Sequence, residues 1–307
     1  MKTILVTGAS GFFGTSFLNA LKKSTDQFKV FCIYVGQKGI VEDSRFIWIE
    51  CDLLNMKSQQ ELIETLKPTH CMHFAWHVPP GTFWDSFKNI EWLYASATLF
   101  DFFCKNGGKV FVGAGSIAEY DWSSGVLDEE ATPLNPATLY GESKKSLLIM
   151  LKKIRDRHLY QTVIIWPRIG YFFGENEPPE KLMSRLFTAI SSGSTLRLTS
   201  ANIKRPYAHV RHLGNILASL MFIVDDDFIF NLSASCSYCL GDIVKNIATQ
   251  LQKSTDTLLF NAYNSPVYEP EELIILNKRL LQKSLAFQED VFFDDLKIFV
   301  GNMHGKI

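Results

Sequence analysis

Apolar residues along this chain fall into short unbroken runs, separated by longer segments in which they recur every three or four positions. The runs at residues 4–6, 30–35, 46–50, 71–76 and 110–116 predict short strands, the first of them buried on both faces of a parallel sheet. The segments between them predict helices: one from Phe13 through Phe17, Leu18 and Leu21, one over residues 58–66, one over residues 83–105, and one opening at Tyr140 with Leu147, Leu148, Met150 and Leu151 on its apolar side. Strand and helix in alternation predict an α/β fold built on a doubly wound parallel sheet. Further along, residues 181–190 predict an amphipathic helix, and residues 273–287 and 292–300 predict terminal helices.

The first strand runs into Gly8, Gly11 and Gly14, and a helix follows at once. Gly8 permits a tight turn, Gly11 lets backbone approach a pyrophosphate at the positive end of the helix, and Gly14 lets the helix pack closely on the strand. The plainer reading is an ordinary turn before a helix. Strand, glycine turn and helix in that order, at the start of the chain, favour a Rossmann dinucleotide site with Ser10, Phe12 and Phe13 in the same cradle.

The end of the second strand discriminates between cofactors. An acid there would accept hydrogen bonds from the ribose 2′-hydroxyl of NAD, and a basic neighbourhood would suit the 2′-phosphate of NADP. Here Gly36-Gln37-Lys38 follows, with no acid until Glu42, so Lys38 favours NADP, with NAD as the alternative. Asp52, followed by Leu53, could meet an adenine amino group or cap the next helix. The fourth strand delivers Phe74, Ala75, Trp76 and His77 to a carboxyl edge, where open α/β sheets bind ligands. His77 could donate to a substrate, although a lone loop histidine is more often structural.

Charge excludes several classes. Lys and Arg number 31 against 32 Asp and Glu, giving a net charge of −1 and no field for nucleic acid or an anionic membrane. No apolar run reaches membrane-spanning length, and residues 4–6 are too short for a signal-peptide core, so a cytoplasmic protein is expected. Disulfides are not expected there. Cys236 and Cys239 lack a second pair at zinc spacing and are expected to be buried small hydrophobes; Asp225-Asp226-Asp227 lacks further oxygen ligands, and no metal site is predicted.

The ordered set Gly8-x-x-Gly11-x-x-Gly14, Asp52-Leu53, Ser116 with Tyr120 four residues on, and Tyr140-x-x-x-Lys144 resembles the extended short-chain dehydrogenase/reductases, the NAD(P)-dependent nucleotide-sugar epimerase, dehydratase and reductase group. The stretches from Arg168 to Gly174, from Arg205 to Val210 and from Asn231 to Ser233 are similar to later parts of that family, so the resemblance spans nearly the whole chain. It implies residues 1–174 as a nucleotide-binding domain with a return segment near 215–260, residues 175–307 as a smaller substrate lobe, and a homodimer through the helices at 83–105 and 140–155. It also places Ile169 at the cofactor and Tyr171 at the substrate, and makes Arg205 a partner for the substrate diphosphate, with Arg185 a second phosphate candidate. His209 is expected to be structural.

Tyr140 and Lys144, four apart, share a helical face, and an ammonium near a phenol favours phenolate. Tyr140 could then pass a proton to a carbonyl oxygen as hydride arrives. The resemblance implies that Lys144 also holds nicotinamide ribose hydroxyls and that Ser116 hydrogen-bonds the reacting oxygen. Family dehydratases carry Asp-Glu directly after that hydroxyl residue, whereas Ile117-Ala118 stand here; combined epimerase-reductases need a Cys where Ala118 stands. Ketoreduction or 4-epimerisation remains, and the run 115–122 with 168–174 is similar to deoxysugar 4-ketoreductases of the CDP-abequose synthase kind. Glu119 could face the sugar or lie in solvent. A non-catalytic nucleotide sensor would be expected to lack this intact set.

Overall fold

The computed structural model describes residues 2–285 and 291–305. It divides into two units. The first comprises residues 1–120, 134–169 and 213–230; the second comprises residues 121–133, 170–212 and 231–307. This division differs from the expected one: the returning segment is 213–230 rather than 215–260, and the loop 121–133 belongs with the second unit.

The first unit is built on a sheet of β1 (Lys2–Thr7), β2 (Phe28–Tyr34), β3 (Phe46–Glu50), β4 (His70–His73), β5 (Val110–Gly113), β6 (Gly115–Ser116), β7 (Val163–Ile169) and β8 (Phe228–Leu232). Its order is β8-β7-β5-β4-β1-β2-β3, with β6 beside β7. Parallel pairs set the register, for example Val6 opposite both Cys32 and Met72, and Ser116 opposite Ile169. The order reverses between β1 and β4, which is where such sheets open a crevice at their carboxyl ends. The connecting helices are α1 (Phe12–Lys22), α2 (Met56–Leu66), α3 (Lys88–Lys105) and α4 (Leu139–His158). Leu5, Phe31, Ile63, Leu99, Phe100, Phe111, Leu147 and Trp166 form one buried cluster between helices and sheet. The acidic turn at 225–227 is structural: Asp227 accepts from the Ile164 backbone N–H at 2.9 Å and from Arg155 at 2.6 Å.

The aromatic segment 83–105 is helical only from Lys88. The Asn89 side chain explains the late start. Its Nδ2 donates to the carbonyls of Phe83 (2.7 Å) and Ser86 (2.9 Å), holding 83–87 as a closed loop, while its Oδ1 accepts from Trp76 Nε1 at 2.9 Å.

The second unit packs α5 (Leu182–Ser192), α7 (Leu240–Leu251) and α9 (Phe292–His304) around Phe173, Leu186, Phe187, Ile243, Ile247, Leu296 and Phe299. Between α5 and α7 in the chain runs α6 (Val210–Ile223), whose Arg211 and His212 both meet the buried Asp295 of α9, His212 Nε2 at 2.7 Å. The helix predicted over 273–287 is not continuous. Ile274–Ile275 pairs in parallel with Val126–Leu127, and only α8 (Lys278–Gln282) is helical; residues 286–287 lie outside the described residues. Cys236 is exposed rather than buried, and Cys239 is half-buried. Among the described residues no helix is long and apolar enough to cross a membrane, and no three metal-ligating side chains gather.

Candidate active site

The turn after β1 is dictated by backbone contact. Gly8 has φ +65°, and a Cβ there would lie 2.7 Å from the Ala75 nitrogen; a Cβ at Gly14 would lie 2.2 Å from the Gly8 carbonyl oxygen. Those two glycines are therefore required by the fold itself, Gly14 by the turn rather than by the strand. Gly11 is looser, 3.2 Å from the same oxygen, and forms the N-cap of α1 with no capping side chain and no acid in the first turn. An anion is the group such a helix start favours. Ser10 is exposed and Phe12 half-buried, while the Phe13 ring meets Phe74 edge-on at 5.0 Å. Phe74 and Ala75 press against Gly8, and Thr7 Oγ1 accepts from Ala75 N at 3.3 Å.

A residue that the sequence reading passed over anchors this floor. His73 is buried between Thr7 Oγ1 (2.8 Å) and Ser96 Oγ (2.7 Å), joining β1, β4 and α3; burial pushes its pKa down to about 3, so it is neutral. At the far end of β2, Lys38 is exposed. A carboxylate does reach that strand end: Glu50 accepts from Gly36 N at 3.1 Å. It comes from the neighbouring strand β3, where a search along β2 could not find it. Asp52 does not cap α2: it accepts from Leu54 N at 2.9 Å, and Asn55 takes the cap by accepting from Ser58 N at 3.1 Å. Leu53 is buried.

Ser116, Tyr140 and Lys144 converge. Ser116 opens a short 3₁₀ turn, and its Oγ accepts from Ala118 N at 3.1 Å and hydrogen-bonds Tyr140. Thr138 caps α4 through Gly141 N at 3.2 Å, and Tyr140 N donates to Trp84 O at 2.8 Å. A Cβ at Gly141 would lie 2.1 Å from the Ala118 oxygen, so α4 begins directly against the Ser116 turn. Rings of Phe83 (4.9 Å), Trp84 (5.9 Å) and Trp76 (6.4 Å) stand edge-on around Tyr140. Lys144, 3% exposed, holds its Nζ 3.6 Å from the Trp76 ring centroid and, among the described residues, has no hydrogen-bond or ion-pair partner.

The electrostatics correct one expectation. Burial pushes the Tyr140 phenol up to about 12, a Ser116 hydrogen bond opposing it, and burial pulls Lys144 down to about 7. The lysine stands over Trp76, and dehydration by the aromatic loop outweighs any help it gives the phenolate. Glu119 is not solvated: it is fully buried and bound to Arg168 at 2.8 Å.

Ile169 ends β7, half-buried, and His77 is half-buried beyond β4. In the second unit Arg205 is buried; it donates to Glu269 (2.9 Å) and to the Lys204 and Glu271 carbonyls, and hydrogen-bonds Tyr171. Arg185 is exposed on α5. His209 is structural, 3.1 Å from Glu175.

Among curated proteins, an Arabidopsis thaliana trifunctional UDP-glucose 4,6-dehydratase/UDP-4-keto-6-deoxy-D-glucose 3,5-epimerase/UDP-4-keto-L-rhamnose-reductase is 22% identical over 96% of this chain. The chain spans less than half of that relative's length, 46%. Solved structures share the fold at low identity. UDP-glucose 4-epimerase of Thermotoga maritima, with UDP-glucose, has a TM-score of 0.85 at 16% identity over 99% of both chains. dTDP-glucose 4,6-dehydratase of Bacillus anthracis, with NAD, has 0.83 at 18% identity over 99% of this chain and 97% of that one. The family model described as the NAD dependent epimerase/dehydratase family matches residues 4–226. With that match across most of its length and the glycine turn and Ser116–Tyr140–Lys144 set in place, the chain belongs to the NAD dependent epimerase/dehydratase family.

Proposed function

We propose that this chain is an NADPH-dependent 4-ketoreductase acting on a nucleotide-linked 4-keto-6-deoxyhexose. The observation that carries the choice of reaction is the turn after Ser116. Ile117 and Ala118 are buried there, and the next carboxylate, Glu119, is sealed and paired with Arg168. No side chain of that turn can exchange a proton at carbon, as elimination of water requires. Ser116, Tyr140 and Lys144 suffice for adding hydride and a proton to a ketone.

The residues fit a dinucleotide. The Gly8–Gly14 turn leads into the start of α1, which carries no side-chain cap and suits a pyrophosphate, and the buried Lys144 amine, seated over the Trp76 ring, suits ribose hydroxyls. When bound, the nicotinamide supplies the hydride. Ser116 Oγ orients the ketone oxygen. Tyr140 donates its phenolic proton to that oxygen, completing the alcohol. The ammonium form of Lys144 stabilises the phenolate left behind, and near pH 7 both forms of that amine are populated. In the second unit, Arg205 with Tyr171 is the group we assign to the substrate diphosphate.

One observation favours a second reading. The Glu50 carboxylate of β3, bonded to the backbone just beyond β2, suits NAD, and a retained NAD would serve a 4-epimerase. The deciding experiment follows reduced-nicotinamide absorbance when protein meets a 4-keto-6-deoxy nucleotide sugar with NADPH or with NADH, with Tyr140→Phe as control. Stoichiometric loss of NADPH, abolished in the control, supports the reductase. Interconversion of a 4-hydroxy nucleotide sugar without net loss moves the chain to the epimerases.

A further inference from the structure

A sealed charge pair lies directly beneath the Ser116 turn, and nothing in the reaction outlined above uses it. Glu119 is 0% exposed and Arg168 5%. Glu119 Oε1 accepts from the Ser116 backbone N–H at 2.8 Å and from Trp166 Nε1 at 2.9 Å; its Oε2 accepts from Arg168 Nε at 2.8 Å. Arg168 Nη1 donates to Tyr120 Oη at 3.0 Å and the guanidinium stacks on that ring. A buried ion pair is a weak device for stability, since apolar residues of similar volume do as well or better. Its placement suggests another use.

The surrounding backbone is shaped to hold it. A Cβ at Gly115 would lie 2.7 Å from Glu119 Oε1 and 2.3 Å from Trp166 Nε1, and one at Gly113 would lie 2.4 Å from the Trp166 ring. Both ends of the turn are then fixed. Glu119 holds its first residue, Ser116, by the backbone; Ala118 N occupies an acceptor site on Ser116 Oγ; and the Ala118 carbonyl butts against Gly141, next to Tyr140.

We propose that Glu119, clamped by Arg168, is the positioning residue that sets the Ser116 hydroxyl against Tyr140 and supplies a negative charge that acts on Lys144. This rests on the assignment of Ser116, Tyr140 and Lys144 to ketone reduction. Glu119 meets Arg168 from β7, whose guanidinium in turn holds Tyr120 Oη, and its charge acts on Tyr140 and Lys144 of α4. Its charge acts in a definite sense: it favours the ammonium of Lys144 and disfavours the phenolate of Tyr140.

The test compares Glu119→Gln, which leaves Arg168 buried without its counter-charge, with the double variant Glu119→Gln/Arg168→Met, in which no charge is buried. Lys144 is titrated by ¹⁵N NMR of lysine-labelled protein, its signal identified by loss in Lys144→Met; this readout needs no substrate. Its midpoint is expected to fall by about one unit or more in Glu119→Gln. In both variants kcat for the ketone is expected to drop roughly tenfold or more, with KM within about twofold. Folded variants with an unmoved Lys144 midpoint and wild-type kcat would overturn the proposal. So would loss of fold in both variants, which would assign the pair to stability alone. If the wild type reduces no ketone, the reductase reading fails while the Lys144 midpoint still decides the role of Glu119.

Discussion

Gly141→Ala reverses the usual sign of a helix substitution. Alanine inside a helix normally gains about 1 kcal/mol over glycine. Here the new methyl would lie 2.1 Å from the Ala118 oxygen and 2.8 Å from Pro136 Cβ, so turn and helix must part by roughly 1 Å. The neighbour is backbone, not a side chain that can swing away. Moving α4 instead stretches the hydrogen bond between Tyr140 and Ser116, a loss of about 1 kcal/mol. Overpacking of this kind costs about 1–3 kcal/mol, so the net effect is a destabilisation of roughly 1–3 kcal/mol, or a melting point lower by about 3–10 °C. A displacement of Tyr140 from Ser116 by about 1 Å should lower ketone turnover about a hundredfold. Gly301→Ala is the internal control: Gly301 lies in α9 with nothing within 4 Å of the place its new methyl would take, and that variant should gain about 0.5–1 kcal/mol. Thermal melts and steady-state kinetics on both variants check this. A Gly141→Ala protein as stable and as active as the wild type would refute the close approach of α4 to the Ser116 turn.

Lys144→Met should raise stability most at low pH. The folded pKa of Lys144, about 7, lies below that of the unfolded chain, so below pH 7 both states are protonated and the folded state bears the full cost of a buried charge. Between pH 7 and about 10.4 the unfolded state binds more protons, the wild type recovers, and the variant's advantage, on the order of a few kcal/mol at pH 6, fades; melts across roughly pH 6–10 measure it. Lys38→Glu should lower the ratio of NADPH to NADH affinity about tenfold by replacing an exposed cation beyond β2 with an acid, read by fluorescence titration. Light scattering should give twice the 34.9 kDa chain mass, and Tyr94→Lys with Ile149→Lys, at exposed positions of α3 and α4, should return the monomer.

The strands and the glycine turn were legible because a parallel sheet writes itself as short apolar runs, and because the turn that needs Gly8 and Gly14 lies within one stretch of chain. Tyr140 and Lys144 were legible because one helix carries both. What escaped depends on partners distant along the chain. Asn89 shortens the aromatic helix through carbonyls that a periodicity does not record. Leu273–Leu276 reads as helical by composition, yet its backbone pairs with Val126–Leu127. Glu119 and His73 looked like ordinary polar residues until Arg168, Thr7 and Ser96 closed around them.

The sheet order also sets a timetable for synthesis. β7 ends at Ile169, but its outer neighbour β8 begins only at Phe228. At about 5–20 residues per second, a ribosome needs roughly 3–12 s to supply the missing strand. During that interval the nascent chain presents Val163–Ile169, rich in β-branched and aromatic residues, as an open edge, the kind of template on which other chains aggregate. Chains that terminate between these two strands should therefore be the ones that depend on chaperones.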